Sequence, residues 1–258
     1  MKKSNKIRFL YPLVAVLTGI LCFSTNILPA QEINPEEGLI LYLPFSGNAM
    51  DESGNNVHTH SKGPVLTNDR HGNPQQALSF DGVNDFVELN HNEALIKSIP
   101  FTICMWVRIK GRSKVPFGHS NSLFSQSGPE DDTTAFIHFD AEQDQRTRFE
   151  IRRADPRDTL AIETSYPGDH DWHFFLCTLD DLNTMHIYID GQKRASGTFQ
   201  GNADLQQGIT SVRIGSYLQN GQNYGAFYGE IDEVSIFDRA LNPCEAETLY
   251  SGQLLEER

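Results

Sequence analysis

Short apolar segments recur along this chain from residue 39 to residue 237, separated by Gly, Asn, Asp and Pro. That rhythm leaves little room for anything but an all-β fold. The segments fall at 39–45, 77–80, 86–89, 101–109, 122–125, 135–139, 146–151, 172–179, 185–190, 193–199, 211–214 and 230–237. Most suit a strand and are too short for a core helix, and no ten-residue helical stretches alternate with them as a parallel sheet would need. Residues 101–107 and 172–177 are apolar on both alternating faces, which predicts central strands covered on either side. Asp190-Gly191 signals a two-residue hairpin, since both residues accept positive φ. One helix is expected over 243–250, with Pro243 in its first turn and Gly252 just past its end.

The first thirty residues read differently. Lys2, Lys3, Lys6 and Arg8 precede an uncharged, largely apolar run from Phe9 to Phe23, and Leu28-Pro29-Ala30 offers a small residue before Gln31. This order predicts a secretory signal peptide over 1–30, a short lead over 31–37 and one domain over 38–258. The apolar run falls short of the roughly 20 residues that span a bilayer, so cleavage is expected rather than membrane insertion. Cys22 follows Leu21, where lipidation would want a small residue.

Loss of the leader removes four basic residues and no acidic one, taking the formal charge from −13 to −17. Such acidity excludes nucleic acid and anionic membrane as expected partners, because phosphate contacts require Lys and Arg. About 228 residues remain, ample for one sandwich core. They hold Cys104, Cys177 and Cys244, an odd number, so at least one thiol has no partner within the chain.

Several stretches together resemble the laminin-G-like, concanavalin A-like jelly-roll family. Ala77-Leu78-Ser79-Phe80-Asp81-Gly82-Val83-Asn84-Asp85-Phe86-Val87 is similar to that family's S-F-D-G-x-x-D-Y-I segment. Asp51-Glu52-Ser53-Gly54-Asn55 with His58, Phe101-Thr102-Ile103 with Trp106, Trp172-His173, and Ile189-Asp190-Gly191 follow its order. The opening Gly38–Phe45 and the closing Gly229–Phe237, Arg239-Ala240-Leu241 and Leu249-Tyr250 are similar to its two ends. The resemblance covers residues 38–252. It implies an antiparallel two-sheet jelly-roll β-sandwich with a short C-terminal helix.

The placement of Cys104 and Cys177 resembles that of the single disulfide of pentraxins, which share the fold, and so implies a Cys104–Cys177 bridge. Such a bridge would contribute about 4 kcal/mol in the chain-entropy picture. The alternative is two buried free thiols, which cores tolerate, but export favours the bridge. The same resemblance implies a calcium site using Asp131 and Asp132. Its expected second half, residues 216–224, contains no carboxylate, so a weak site completed by amide oxygens stands beside a plain solvated turn. A second ion site is conceivable between Asp51 and Asp232, with Asn55 and Asn56 completing it; the alternative is an Asx-type turn at Asp51.

Catalytic signals are few. Glu230-x-Asp232 resembles the start of the E-x-D-x-x-E strand of jelly-roll glucanases, but the third acid falls on Ser235, which cannot protonate a leaving oxygen. His58, His60 and His71 lack the spacing of a standard zinc site. No G-x-S-x-G, phosphate-loop or C-x-x-C motif occurs. For sugar binding, Tyr217 and Tyr224 lie in a segment rich in Gln, Asn and Gly, with Phe227 expected in the core. Residues 152–158 form a second polar loop of mixed charge. The expectation is therefore an exported, non-catalytic recognition module for carbohydrate, working outside the cell, at its surface or in the periplasm. Calcium is the one cofactor left open. Adhesion to another surface protein is the first alternative, a divergent glycosidase the second.

Overall fold

The computed structural model describes residues 34, 36–90, 93–115, 120–128, 136–142, 145–152, 159–199, 205–206 and 208–252. The leader expected over 1–30, and Asp131 and Asp132, lie outside them.

Two antiparallel sheets face each other. The first runs in the order β13 (Gln192–Thr198), β12 (Thr184–Ile189), β11 (Trp172–Leu179), β6 (Phe101–Ile109), β17 (Tyr228–Phe237), β4 (Ala77–Asp81) and β3 (Val65–Thr67). The opening strand β1 (Leu39–Leu43) also pairs with β17, so the first and last strands of the domain lie together. The second sheet is ordered β10 (Thr159–Ser165), β9 (Arg146–Arg152), β8 (Phe136–Glu142), β7 (Ser120–Ser127), β14 (Ser211–Ile214), β5 (Phe86–Leu89) and β2 (Thr59–Lys62). A separate hairpin, β15 (Tyr217–Gln219) and β16 (Gln222–Tyr224), completes the strands. The strands that the apolar rhythm missed are β2, β3, β10, β15 and β16. They are short, polar or exposed, with little buried surface to write into the sequence.

The core between the sheets contains Leu41, Leu43, Phe80, Met105, Phe124, Phe139, Phe149, Phe175 and Ile236, all closed to solvent. Each contributes about 1.5–3 kcal/mol by burial, an upper figure against a compact unfolded chain. A second cluster lies on the outer face of the first sheet. There the helix α1 (Pro243–Tyr250) lays Leu241, Ala246 and Leu249 on Cys104, Trp106, Phe174, Leu176, Tyr188 and Phe237. This explains why β6 and β11 are apolar on both faces: the helix covers the side that the other sheet does not. The helix starts on a capping box, Asn242 Oδ1 accepting from Cys244 N at 2.9 Å and Glu245 N at 3.1 Å, while Asn242 N donates to Glu245 Oε2 at 2.8 Å. Such a cap is worth about 1 kcal/mol. The Asp190-Gly191 hairpin is as expected, both residues having positive φ (52° and 72°).

The register corrects the disulfide. Cys104 stands opposite Leu176, and Cys177 opposite Ile103. Residues directly opposite share a face and consecutive ones alternate, so the two thiols leave the sheet on opposite sides. Cys177 enters the core between the sheets and Cys104 the cluster beneath the helix. A bridge needs Cβ atoms about 3.5–4.5 Å apart with converging vectors. Both cysteines are free and buried, and burial pushes the Cys104 thiol up to about 12. Cys244 is exposed and in no disulfide.

Candidate functional site

A break in strand alternation builds the main groove. Along β17, Ile231, Val234 and Ile236 face the core, so two residues separate the first pair and one the second. The extra residue is a β-bulge between Asp232 and Ser235, with Glu233 at φ 48°. It turns Glu233 onto the outer face beside Asp232, where regular alternation would drive a carboxylate into the core. Arg70, from the β3–β4 connection, meets both, its Nη1 lying 2.9 Å from Glu233 Oε2 and 3.5 Å from Asp232 Oδ2. Burial, reinforced by the charge of Glu233 and opposed by Arg70, pushes the Asp232 carboxyl up to about 8.

Aromatic rings gather around this cluster. The Arg70 guanidinium lies 4.5 Å from the Trp106 ring centre, and Tyr250, at the end of α1, stacks on Trp106 at 5.7 Å and 27°. Trp172 of β11 forms the neighbouring wall, with Arg108 5.4 Å from its ring centre. Its indole Nε1 has no hydrogen-bond partner among the described residues. Together Trp106, Trp172, Tyr250, Glu233 and the 69–73 turn enclose a groove of about 720 Å³. The turn is rigid. Asp69 Oδ1 accepts from His71 N and Asn73 N at 2.8 Å each, and Oδ2 from Asn73 Nδ2 at 2.9 Å. Burial works against the Asp69 charge, but these bonds outweigh it and hold the carboxyl below its ordinary value. The exposed side chains of His71 and Asn73 face solvent at the rim. An apolar ring floor with hydrogen-bonding groups around it suits a ligand that is apolar on one face and polar at its edge.

Glu230, expected to share a face with Asp232, does so. Its carboxylate is taken by Arg108 and by Lys110 Nζ at 2.6 Å, and it is almost wholly buried. Ser235 stands opposite Cys104, beneath the helix cluster rather than beside the groove.

Tyr217 and Tyr224 are brought together, but elsewhere. They pair across the β15–β16 hairpin and stack at 5.5 Å and 19°. That hairpin sits on the outer face of the second sheet, where Ser125 Oγ donates to Ser216 O at 2.9 Å and Ser127 Oγ to Leu218 O at 3.1 Å. Tyr217 packs edge-on against His138 at 5.1 Å, and Arg213 donates to Asn223 Oδ1 at 2.5 Å. Burial, then the charges of Arg148 and Arg152, take His138 down to about 3, so it stays neutral under this cover. Phe227 is in the core, as expected.

The remaining candidates separate. Asp51 is an Asx-type cap: its oxygens accept from Tyr42 N at 3.1 Å and from Ser53 N and Val57 N at 2.9 Å. Asp232 answers to Arg70 instead, so the two aspartates do not form one ligand set, which corrects the second ion site. His60 pairs opposite Glu88 in the second sheet, whereas His71 lines the groove on the first. Among the described residues no group of three or more His, Cys, Asp or Glu is arranged to hold a metal ion. The sequence reading missed Trp106, Trp172 and Tyr250 as a surface, treating them only as fold markers. The uneven spacing of Ile231, Val234 and Ile236 was the available clue.

With this geometry in hand, comparisons add the following. Residues 81–247 match the family described as the concanavalin A-like lectin/glucanases superfamily, in its third laminin-G form. No curated protein sequence matches the chain. Among solved structures, the binding domain of Paraclostridial Mosquitocidal Protein 1 is similar at 19% identity and a TM-score of 0.65, covering 84% of this chain and 53% of that one. The botulinum neurotoxin serotype D binding domain is similar at 17% identity and a TM-score of 0.62, covering 85% and 53%. A botulinum neurotoxin DC binding domain in complex with SialylT is similar at 16% identity and a TM-score of 0.65, covering 84% and 52%. The chain thus spans about half the length of these structures, and at such identities the likeness is one of fold.

Proposed function

The chain belongs to the concanavalin A-like lectin/glucanases superfamily, and from that premise we propose that it is an exported, non-catalytic module that binds carbohydrate in the Trp106–Trp172–Tyr250 groove. The observation that carries this reading is the groove itself. Trp172 and Tyr250 border it with half-buried rings, and Glu233, His71 and Asn73 offer donors and acceptors around them. A pyranose has the matching character, with axial C–H groups on one face and hydroxyls at the edge. The volume of about 720 Å³ lies within the usual range for small-ligand sites.

Against a glycosidase stands the state of the carboxylates. Glu230 is almost wholly buried and ion-paired with Arg108 and Lys110, so it is not presented to a sugar carbon. Against an adhesive protein interface, the exposed large apolar residues among those described, Met50, Val65, Val83 and Leu182, are single residues in four different elements or turns.

The test is a glycan and polysaccharide array on the mature protein, with and without calcium, repeated with Trp172→Ala. We expect saturable binding that weakens about tenfold or more in the variant, a loss of roughly 1.4 kcal/mol, with little change in Tm. Loss of binding in chelator would support calcium at Asp131 and Asp132. A blank array, or binding indifferent to Trp172→Ala, defeats the groove reading.

A further inference from the structure

A second cavity, of about 240 Å³, opens between the ends of the two sheets. Its floor is apolar: Val107 and Ile109 of β6, with Tyr166 and Pro167 from the connection between β10 and β11. Its polar lining divides into groups that are spent and groups that are not. Asn121 is spent, Nδ2 donating to Gly111 O at 2.9 Å and Oδ1 accepting from Tyr228 N at 3.2 Å. His173 is spent as well, between Asp190 Oδ2 at 2.8 Å and Asp169 Oδ1 at 2.9 Å. Hydrogen bonding to Asp190 above all holds its imidazolium, up to about 9, so it braces the wall with its charge already matched.

Four groups remain. The Arg112 guanidinium, the Asp171 carboxylate and the Gln145 side-chain amide form no hydrogen bond or ion pair among the described residues. His170 Nδ1 lies 2.9 Å from Ile109 O. A carbonyl only accepts, so this nitrogen carries a proton, and in the corresponding neutral tautomer Nε2 is an acceptor. Gly168 makes room for one of them: a Cβ there would collide with the Gln145 amide.

We propose that this cavity is a second binding site, and that it takes a single sugar unit bearing a carboxylate. Among the described residues of the lining Arg112 is the one unspent cation, and its planar fork matches a carboxylate in two parallel hydrogen bonds. Asp171 and His170 Nε2 accept from hydroxyls, and the Gln145 amide both donates and accepts. Val107, Ile109 and Pro167 meet the C–H face of the ring. The volume falls below that of drug-sized sites, which favours one ring over an extended chain. On a chain of formal charge −13, an anion is not drawn in by the overall field, so discrimination must come from Arg112 locally. This site stands independently of the tryptophan groove.

Titration of the mature protein with glucuronic acid and with glucose, followed by NMR, tests it. We expect saturable shifts for glucuronic acid and at least tenfold weaker binding of glucose. Arg112→Gln should remove that preference, and Gly168→Ala, which displaces Gln145, should weaken both sugars. Trp172→Ala should leave glucuronic acid unaffected, which separates this site from the groove. Equal binding of the two sugars, an unchanged preference in Arg112→Gln, or no binding of glucuronic acid would each overturn the proposal.

Discussion

The two outer faces of the sandwich both carry aromatic residues over a bed of charges, yet they use them in opposite ways. On the first sheet, Trp106, Trp172 and Tyr250 stand around an open groove while the charges beneath are paired off, Arg70 with Glu233, Arg108 and Lys110 with Glu230. On the second sheet, the Tyr217–Tyr224 pair belongs to a hairpin that lies down on the strands, and Tyr217 covers a buried neutral histidine. Composition in the two regions is comparable. What differs is whether the rings act as the roof of a polar layer or as the walls of a cleft. An aromatic residue in a polar loop is therefore a sign of a binding surface only when its face is left over after packing.

The comparison can be broken most forcefully at Trp106, which serves the groove and the helix cluster at once. Trp106→Ala should cost about 3–5 kcal/mol and lower Tm by roughly 6–20 °C, abolishing sugar binding as well. Retention of either property would mean that the ring is peripheral. On the other face, Tyr217→Ala should lower Tm by a few degrees through lost cover on His138, about 1–2 kcal/mol, while array binding stays within twofold. If instead the array goes blank, the hairpin is the ligand site and the roles of the two faces are reversed.

A finer contrast lies in pH. The folded Asp232 carboxyl keeps its proton up to about pH 8, whereas the unfolded chain releases it near the ordinary aspartate value of 3.8. The folded state thus binds more protons between these values, and stability falls as pH rises through that window. Asp232→Asn, close in shape to the protonated acid, should remove this slope, so its Tm relative to wild type should climb from about pH 5 to about pH 8. A difference constant with pH would show that Asp232 is ionised in the fold. The smallest effect concerns the thiols. Reductant should leave Tm unchanged, and unreduced protein in denaturant should give reaction at Cys104, Cys177 and Cys244 alike. Reaction at Cys244 alone would restore the bridge that the register rules out.

Much of the fold was legible because burial leaves a periodic trace. The double-sided apolar runs of β6 and β11 announced strands covered on both sides, and the Asp190-Gly191 pair announced its hairpin. The edge strand β2 left no such trace, since an exposed strand with one neighbour can be polar throughout, and β10 offered only the short alternation of Leu160 and Ile162. The site was less legible. Tyr217 and Tyr224 were found as a pair, but their sequence could not say that the hairpin would be pressed against β7.

By itself, the sequence determined what is local or repetitive: the all-β class, the central strands and the terminal helix. Tertiary structure alone decided the rest. The pairing of Leu176 with Cys104 sends two neighbouring thiols to opposite faces, although either register would look the same in the sequence. The bulge at Glu233 joins it to Arg70, which arrives from a turn far away in the chain. Trp106, Trp172 and Tyr250 come from three separate elements, so a groove between them exists only once β6, β11 and α1 have packed. The physical reason is one of range. Backbone preference and burial act residue by residue and leave periodic marks, whereas a cleft is what remains between distant elements after each has satisfied its own contacts.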